Sequence, residues 1–174
     1  KEVPLGGEDA MRVRRTLPNL KRSFVGAWCF VDHYGPDEGA CMDVPPHPHT
    51  GLQTVSWLFS GEIEHRDSGG VHAMVRPGQV NLMTAGRGVV HSEEATGSYG
   101  GRLQGVQLWV AQPNQTRATD PAFEHHAELP QVELGQSVAT VITGSFGSDV
   151  SPARQDWPAV CIQGAVRPGR TVWP

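Results

Sequence analysis

Apolar residues in this chain come in short runs broken by turn residues, a pattern that predicts strands rather than helices. Gln53 to Phe59 reads Gln-Thr-Val-Ser-Trp-Leu-Phe, mostly β-formers, and stops at Ser60-Gly61. Arg22 to Tyr34 reads as a buried strand entering a loop, and residues 35–46 as an irregular approach to His47. Glu62 to Asp67 returns toward a turn at Ser68-Gly69-Gly70, and Pro77-Gly78 marks another turn. Gln79 to Met83, Val89 to His91, Leu103 to Val110 and Val138 to Thr143 are further strand candidates. Val55, Trp57 and Phe59 share odd parity with His47 and His49, which predicts them on the same face, inside a barrel. One helical signal stands out: Asp120 as a cap, Pro121 in the first turn, and Ala122 to Leu129 as a short helix ended by Pro130. Residues 144–156 read as a linker, and Ala159 to Gly164 and Arg170 to Trp173 as strands beyond it. Short strands spaced by turns predict an all-β sandwich or small barrel.

Composition supports this reading. Gly contributes 21 and Pro 14 of the 174 residues, so turns are plentiful. The formal charge of −4 leaves no basic footprint for nucleic acid and no polybasic membrane patch. No apolar run approaches a membrane span and no signal peptide opens the sequence. Cys29, Cys41 and Cys161 are few and irregularly spaced, as expected of a reducing cytoplasm rather than a disulfide scaffold.

The chemistry concentrates in two pairs. His47-Pro48-His49 and His91-Ser92-Glu93 each place two potential ligands at i and i+2, the same face of a strand. Two such strands facing one another would present three imidazoles and one carboxylate to a single divalent transition metal: iron, nickel, copper or zinc. Four protein ligands leave room for a substrate oxygen or dioxygen, with Glu93 as ligand and proton acceptor. The plainer alternatives are ordinary strand histidines or a closed structural zinc site, and no Cys stands beside these residues to make the latter. His65 and Asp67 also lie at i and i+2, and read first as a hairpin ion pair and second as partners orienting the ligands. His33, His72, His125 and His126 carry no spacing argument and are expected in surface or structural roles. No Gly-x-Ser-x-Gly elbow and no phosphate loop occurs.

The runs His47-Pro48-His49-Thr50-Gly51, Gln53-Thr54-Val55-Ser56 and Met83-Thr84-Ala85-Gly86-Arg87-Gly88-Val89-Val90-His91-Ser92-Glu93 resemble the pirin family of bicupins. The segments 28–36, 65–68 and 107–110 agree with it. The resemblance implies a cupin jelly-roll barrel, a double-stranded β-helix, over residues 1–143, with His47, His49, His91 and Glu93 holding Fe(II). Residue 53 is Gln where many relatives carry Glu, so a five-ligand scheme is not expected. Family members carry a second cupin, of which residues 157–174 resemble the opening strands. Those strands are expected to fold back on the barrel or to pair with another copy. Some members resemble quercetin 2,3-dioxygenases, which open flavonols with O2 and release carbon monoxide. Others bind transcription regulators in an iron-dependent way, which implies a non-enzymatic, redox-sensing alternative.

Overall fold

A computed structural model describes residues 1–5, 11–38, 42–96 and 101–164. The first nine strands are β1 (Glu2–Pro4), β2 (Arg12–Leu17), β3 (Trp28–Glu38), β4 (Asp43–His49), β5 (Leu52–Ser60), β6 (Ile63–Asp67), β7 (His72–Val75), β8 (Val80–Thr84) and β9 (Val89–Ala95). They are followed by β10 (Arg102–Ala111), β11 (Ala122–His126), β12 (Gln131–Leu134), β13 (Ser137–Thr143), β14 (Ser145–Phe146), β15 (Asp149–Val150) and β16 (Cys161–Gly164). The described residues form an all-β cupin jelly roll and contain no helix. Among the described residues no helix is long and apolar enough to cross a membrane.

A seven-stranded sheet runs β1-β2-β3-β10-β5-β8-β11, and a four-stranded sheet runs β4-β9-β6-β7. Tyr34, Leu58 and Leu103 from the first sheet meet Val44, Ile63 and Val75 from the second in one apolar cluster, which closes one end of the barrel. The pleat sends alternate residues to the two faces. Thr54, Ser56 and Leu58 of β5 therefore point inward. Val55 and Trp57 point outward, where they pack with Leu82, Leu108, Ile142 and Ala153.

This corrects the parity expected from the sequence. Val55 and Trp57 lie on the face opposite the histidines, and Phe59 is exposed. The reason is the turn at Thr50-Gly51, with Gly51 at φ +64°, which separates β4 from β5 and places them in different sheets. Parity cannot be counted across such a turn. Gln53 shares the outward face, lines a crevice with Val55 and Leu82, and its Nε2 donates to Thr84 Oγ1 at 2.9 Å.

The helix expected at Ala122 to Leu129 is strand β11 instead, paired antiparallel with β8 from Ala122↔Thr84 to His126↔Val80. Edge pairing with β8 supplies backbone partners for the segment, and Phe123 packs against Met83, Ala85 and Val89. That burial overrides the local Asp-Pro signal. Asp120 pairs with Arg87 at the surface.

The outward face of the large sheet is covered by the C-terminal part of the chain. β16 pairs with β13 in a three-stranded sheet, β12-β13-β16, and Trp57 Nε1 donates to Gln163 Oε1 at 2.7 Å. Within 144–156, β14 and β15 form a hairpin, and Ser151 and Ala153 are buried. Residues 165–174, including the strand expected at Arg170 to Trp173, and Cys41 lie outside the described residues.

Gly105 of β10 is hemmed in by its two neighbours in the large sheet, Tyr34 of β3 and Trp57-Leu58 of β5. A Cβ there would come within 2.6 Å of Tyr34 Oη and 2.7 Å of the Trp57 carbonyl oxygen. The carbonyl belongs to the β5 ladder and cannot move aside. Gly105→Ala is therefore expected to destabilise the fold by about 1–3 kcal/mol in urea unfolding. An unchanged midpoint would contradict this packing.

Candidate metal centre

Three adjacent strands of the smaller sheet build the site. β9 lies between β4 and β6, so His91 faces His47 on one side and Asp67 on the other. One row along, Glu93 faces His65. His47 and His49, His91 and Glu93, and His65 and Asp67 are three i, i+2 pairs on one pleated face, directed inward. A register shift between Val44 and His47 carries β4 past Pro45-Pro46. The loop before β9 turns sharply at Gly86, whose φ is +53° and whose Cβ position would overlap the Thr119 carbonyl. Only glycine fits there.

His47, His49 and His91 converge. Their ring centroids lie 4.8 Å (His47–His49), 4.4 Å (His47–His91) and 5.0 Å (His49–His91) apart. Their ligand atoms lie within 4.8 Å of one another. Glu93 belongs to a second group that overlaps the first at His91: His65, His91 and Glu93, within the same limit. The structure thus brings the four residues singled out in the sequence into two groups joined at His91.

The nitrogens fit a cation. His47 Nδ1 donates to the Pro45 carbonyl at 2.9 Å, which leaves Nε2 bare. His49 Nε2 and His91 Nε2 are buried with no hydrogen-bond partner. Buried polar atoms are rarely left so, and a transition metal satisfies all three lone pairs at once. Burial, reinforced by the neighbouring imidazoles, pushes His49 down to about 4 and His91 to about 2, so both stay neutral and able to ligate. Burial also pushes the Glu93 carboxyl up to about 7, against the hydrogen bond from Ser56. Ser56 Oγ lies 3.4 Å from Glu93 Oε1 and 2.8 Å from Gln107 Oε1, so its one O–H serves one of them at a time.

His47 also lines an open cavity of about 820 Å³, together with Phe30, Trp109, Cys29, Leu52 and Arg15. Phe30 and Trp109 stack at 3.9 Å, and Trp109 meets His49 edge-on at 4.9 Å. Val55, Trp57 and Phe59, expected from the sequence on the inner face with the histidines, take no part in these walls. Arg15 reaches over Phe30 at 4.4 Å and binds buried Asp32 through two hydrogen bonds of 2.9 and 2.8 Å. Sequence reading did not single out Ser56, Gln107, Phe30, Trp109 or the Arg15–Asp32 pair. Their signal was register across strands, which local spacing does not carry. His65 does pair with Asp67, and the same imidazole also touches His91 at 3.3 Å. Of the four histidines without a spacing argument, His72 is exposed, while His125 Nδ1 lies 2.6 Å from Asn81 Oδ1.

Comparison with known proteins points to one family. The family profile described as Pirin matches residues 10–110. A Pseudomonas aeruginosa protein named "putative quercetin 2,3-dioxygenase" is 43% identical over 157 residues, covering 88% of this chain and 49% of that protein. A "pirin-like protein" of Caulobacter vibrioides is 46% identical over 150 residues, covering 80% of this chain and 52% of its own. The chain thus spans about half the length of these relatives. The crystal structure of a quercetin 2,3-dioxygenase from Acinetobacter baumannii superposes with a TM-score of 0.88 at 40% identity, over 93% of this chain and 54% of that one.

The metal-free site has a signed pH dependence. His49 and His91 are depressed in the fold, so stability is lost as pH falls below about 6.5, where the unfolded imidazoles take up protons first. Glu93 is raised, so its contribution is full below about 4.5 and is lost as pH rises toward 7. Glu93→Gln removes only the second effect. Between about pH 5 and pH 8, wild-type metal-free protein is expected to lose roughly 2–3 kcal/mol relative to Glu93→Gln in urea unfolding. Parallel profiles would contradict the buried, protonated carboxyl.

Proposed function

The chain belongs to the pirin family, and from that premise we propose a metal-dependent dioxygenase that opens flavonols with O2. The proposed metal is Fe(II), held by His47, His49, His91 and Glu93. One observation carries the reading. His47 belongs both to the converged imidazoles and to the lining of the aromatic cavity, so a cation held there is open to a guest. A bound redox-active cation would supply electron transfer between an activated substrate and O2.

The chain's own residues do the rest. Phe30 and Trp109 offer a stacked aromatic wall suited to a flat, fused-ring substrate. Arg15 is neutralised by Asp32, so the wall favours an apolar aromatic body over a multiply charged one. Glu93 is the buried carboxyl of the centre; a bound cation would favour its ionised form, which can take the proton of an acidic substrate hydroxyl. The barrel interior behind it, closed by Tyr34, Leu58 and Leu103, keeps bulk water out.

Iron-loaded protein is expected to consume a flavonol aerobically, with loss of its visible absorbance, uptake of O2 and release of carbon monoxide. Glu93→Gln is expected to lower kcat by about 10²–10⁴-fold. An iron-loaded wild type with full metal occupancy and no turnover of flavonol would remove the enzymatic reading and leave the metal centre standing.

A further inference from the structure

We infer that His65 and Asp67 form a relay that fixes which nitrogen of His91 carries its proton, and thereby holds the centre in its metal-binding form. The inference rests on the metal reading above and assigns a role to two residues outside the proposed ligand set. His65 is a positioning residue: it acts through His91.

Proton counting leads to it. His91 Nδ1 faces His65 Nδ1 at 3.3 Å, and two nitrogens that face one another must share a single proton. The far nitrogen of His65, Nε2, faces Asp67 Oδ2 at 3.4 Å. The other carboxylate oxygen, Asp67 Oδ1, accepts the backbone N–H of Gly69 at 2.8 Å and of Val71 at 3.1 Å. Two backbone donors in the turn after β6 thus pin the carboxylate in place. The His65 and Asp67 side chains are each only 4% exposed, so water does not satisfy either group. Phe123 packs on His65 at 4.7 Å between ring centroids, which keeps the imidazole from turning away.

An ionised carboxylate only accepts. His65 must therefore show Asp67 an N–H at Nε2, which leaves its Nδ1 bare. A bare Nδ1 needs a donor, so His91 carries its proton on Nδ1. His91 Nε2 is then a free lone pair, the atom that lies buried without a partner in the cluster with His47 and His49. The opposite arrangement sets a lone pair of His65 against the carboxylate and puts a proton on His91 Nε2, where it blocks a cation. The turn at residues 67–71 thus selects the ligating tautomer two side chains away. Partners of this kind typically change metal affinity 10–100-fold when removed.

Asp67→Asn separates this role from simple packing. Its amide oxygen can keep the two backbone N–H bonds of the turn. Its NH2 then faces His65 Nε2 as a donor, which reverses both tautomers without changing shape. The experiment uses the full chain and zinc(II), which is diamagnetic, as the probe. Two-bond ¹H–¹⁵N correlation on histidine-labelled protein reads the tautomers directly. The expected result is His91 protonated at Nδ1 with a zinc-shifted Nε2, and His65 protonated at Nε2 with no zinc-shifted nitrogen. Asp67→Asn is expected to weaken zinc binding about 10–100-fold, with unfolding of the metal-free protein still cooperative. His65 protonated at Nδ1, a zinc-shifted nitrogen on His65, or wild-type zinc affinity in Asp67→Asn would each overturn the relay. The spectrum of the wild type decides the matter should the variant not fold. A wild type that binds no zinc at all overturns the metal reading and the relay together, whereas zinc binding that Asp67→Asn leaves unaltered removes the relay alone.

Discussion

Everything in this molecule turns on bare imidazole nitrogens buried together inside a barrel. A neutral imidazole has one lone pair and one N–H, and burying either without a partner is costly. In this chain the N–H groups have places to go. His47 gives its proton to the Pro45 carbonyl, and the His91–His65–Asp67 row can pass one along. The lone pairs at His49 Nε2 and His91 Nε2 meet no donor. A cation resolves that imbalance. The raised Glu93 carboxyl is the same statement from the other side: without a positive neighbour, a buried carboxyl keeps its proton.

The jelly roll makes this convergence possible without a specialised loop. Each strand sends i and i+2 to one face, and the order β4-β9-β6 stacks three such pairs side by side. The opposite sheet supplies the cavity wall through Phe30 and Trp109, and supplies Ser56 and Gln107 behind the carboxylate. Its outer face is an independent apolar layer, covered by residues from β13 onward. Site chemistry and outer packing therefore use alternate residues of the same strands.

Legibility in the sequence followed this division. His47, His49, His91 and Glu93 were readable because i, i+2 spacing is local and a strand converts it directly into a shared face. The strands themselves were readable from β-formers bounded by turn residues. What failed depended on partners distant in sequence. The parity of Val55 and Trp57 was lost at Gly51, where the chain passes from one sheet to the other. The segment after Asp120 carried a good local helix start, but the free edge of β8 claimed it as a strand. The pairing of His65 with Asp67 was legible, but the approach of His65 to His91 was not, because nothing local says that β9 lies alongside. The Arg15–Asp32 pair and the Phe30–Trp109 stack are likewise products of register between β2, β3 and β10.

The most direct test of the account is metal analysis combined with X-ray absorption on protein purified without chelators and then loaded with Fe(II). The account predicts one tightly held metal per chain, with imidazole scattering from three histidines and a light oxygen donor from Glu93. A chain that holds no metal, or a bound metal with sulfur neighbours and no imidazole scattering, would contradict it.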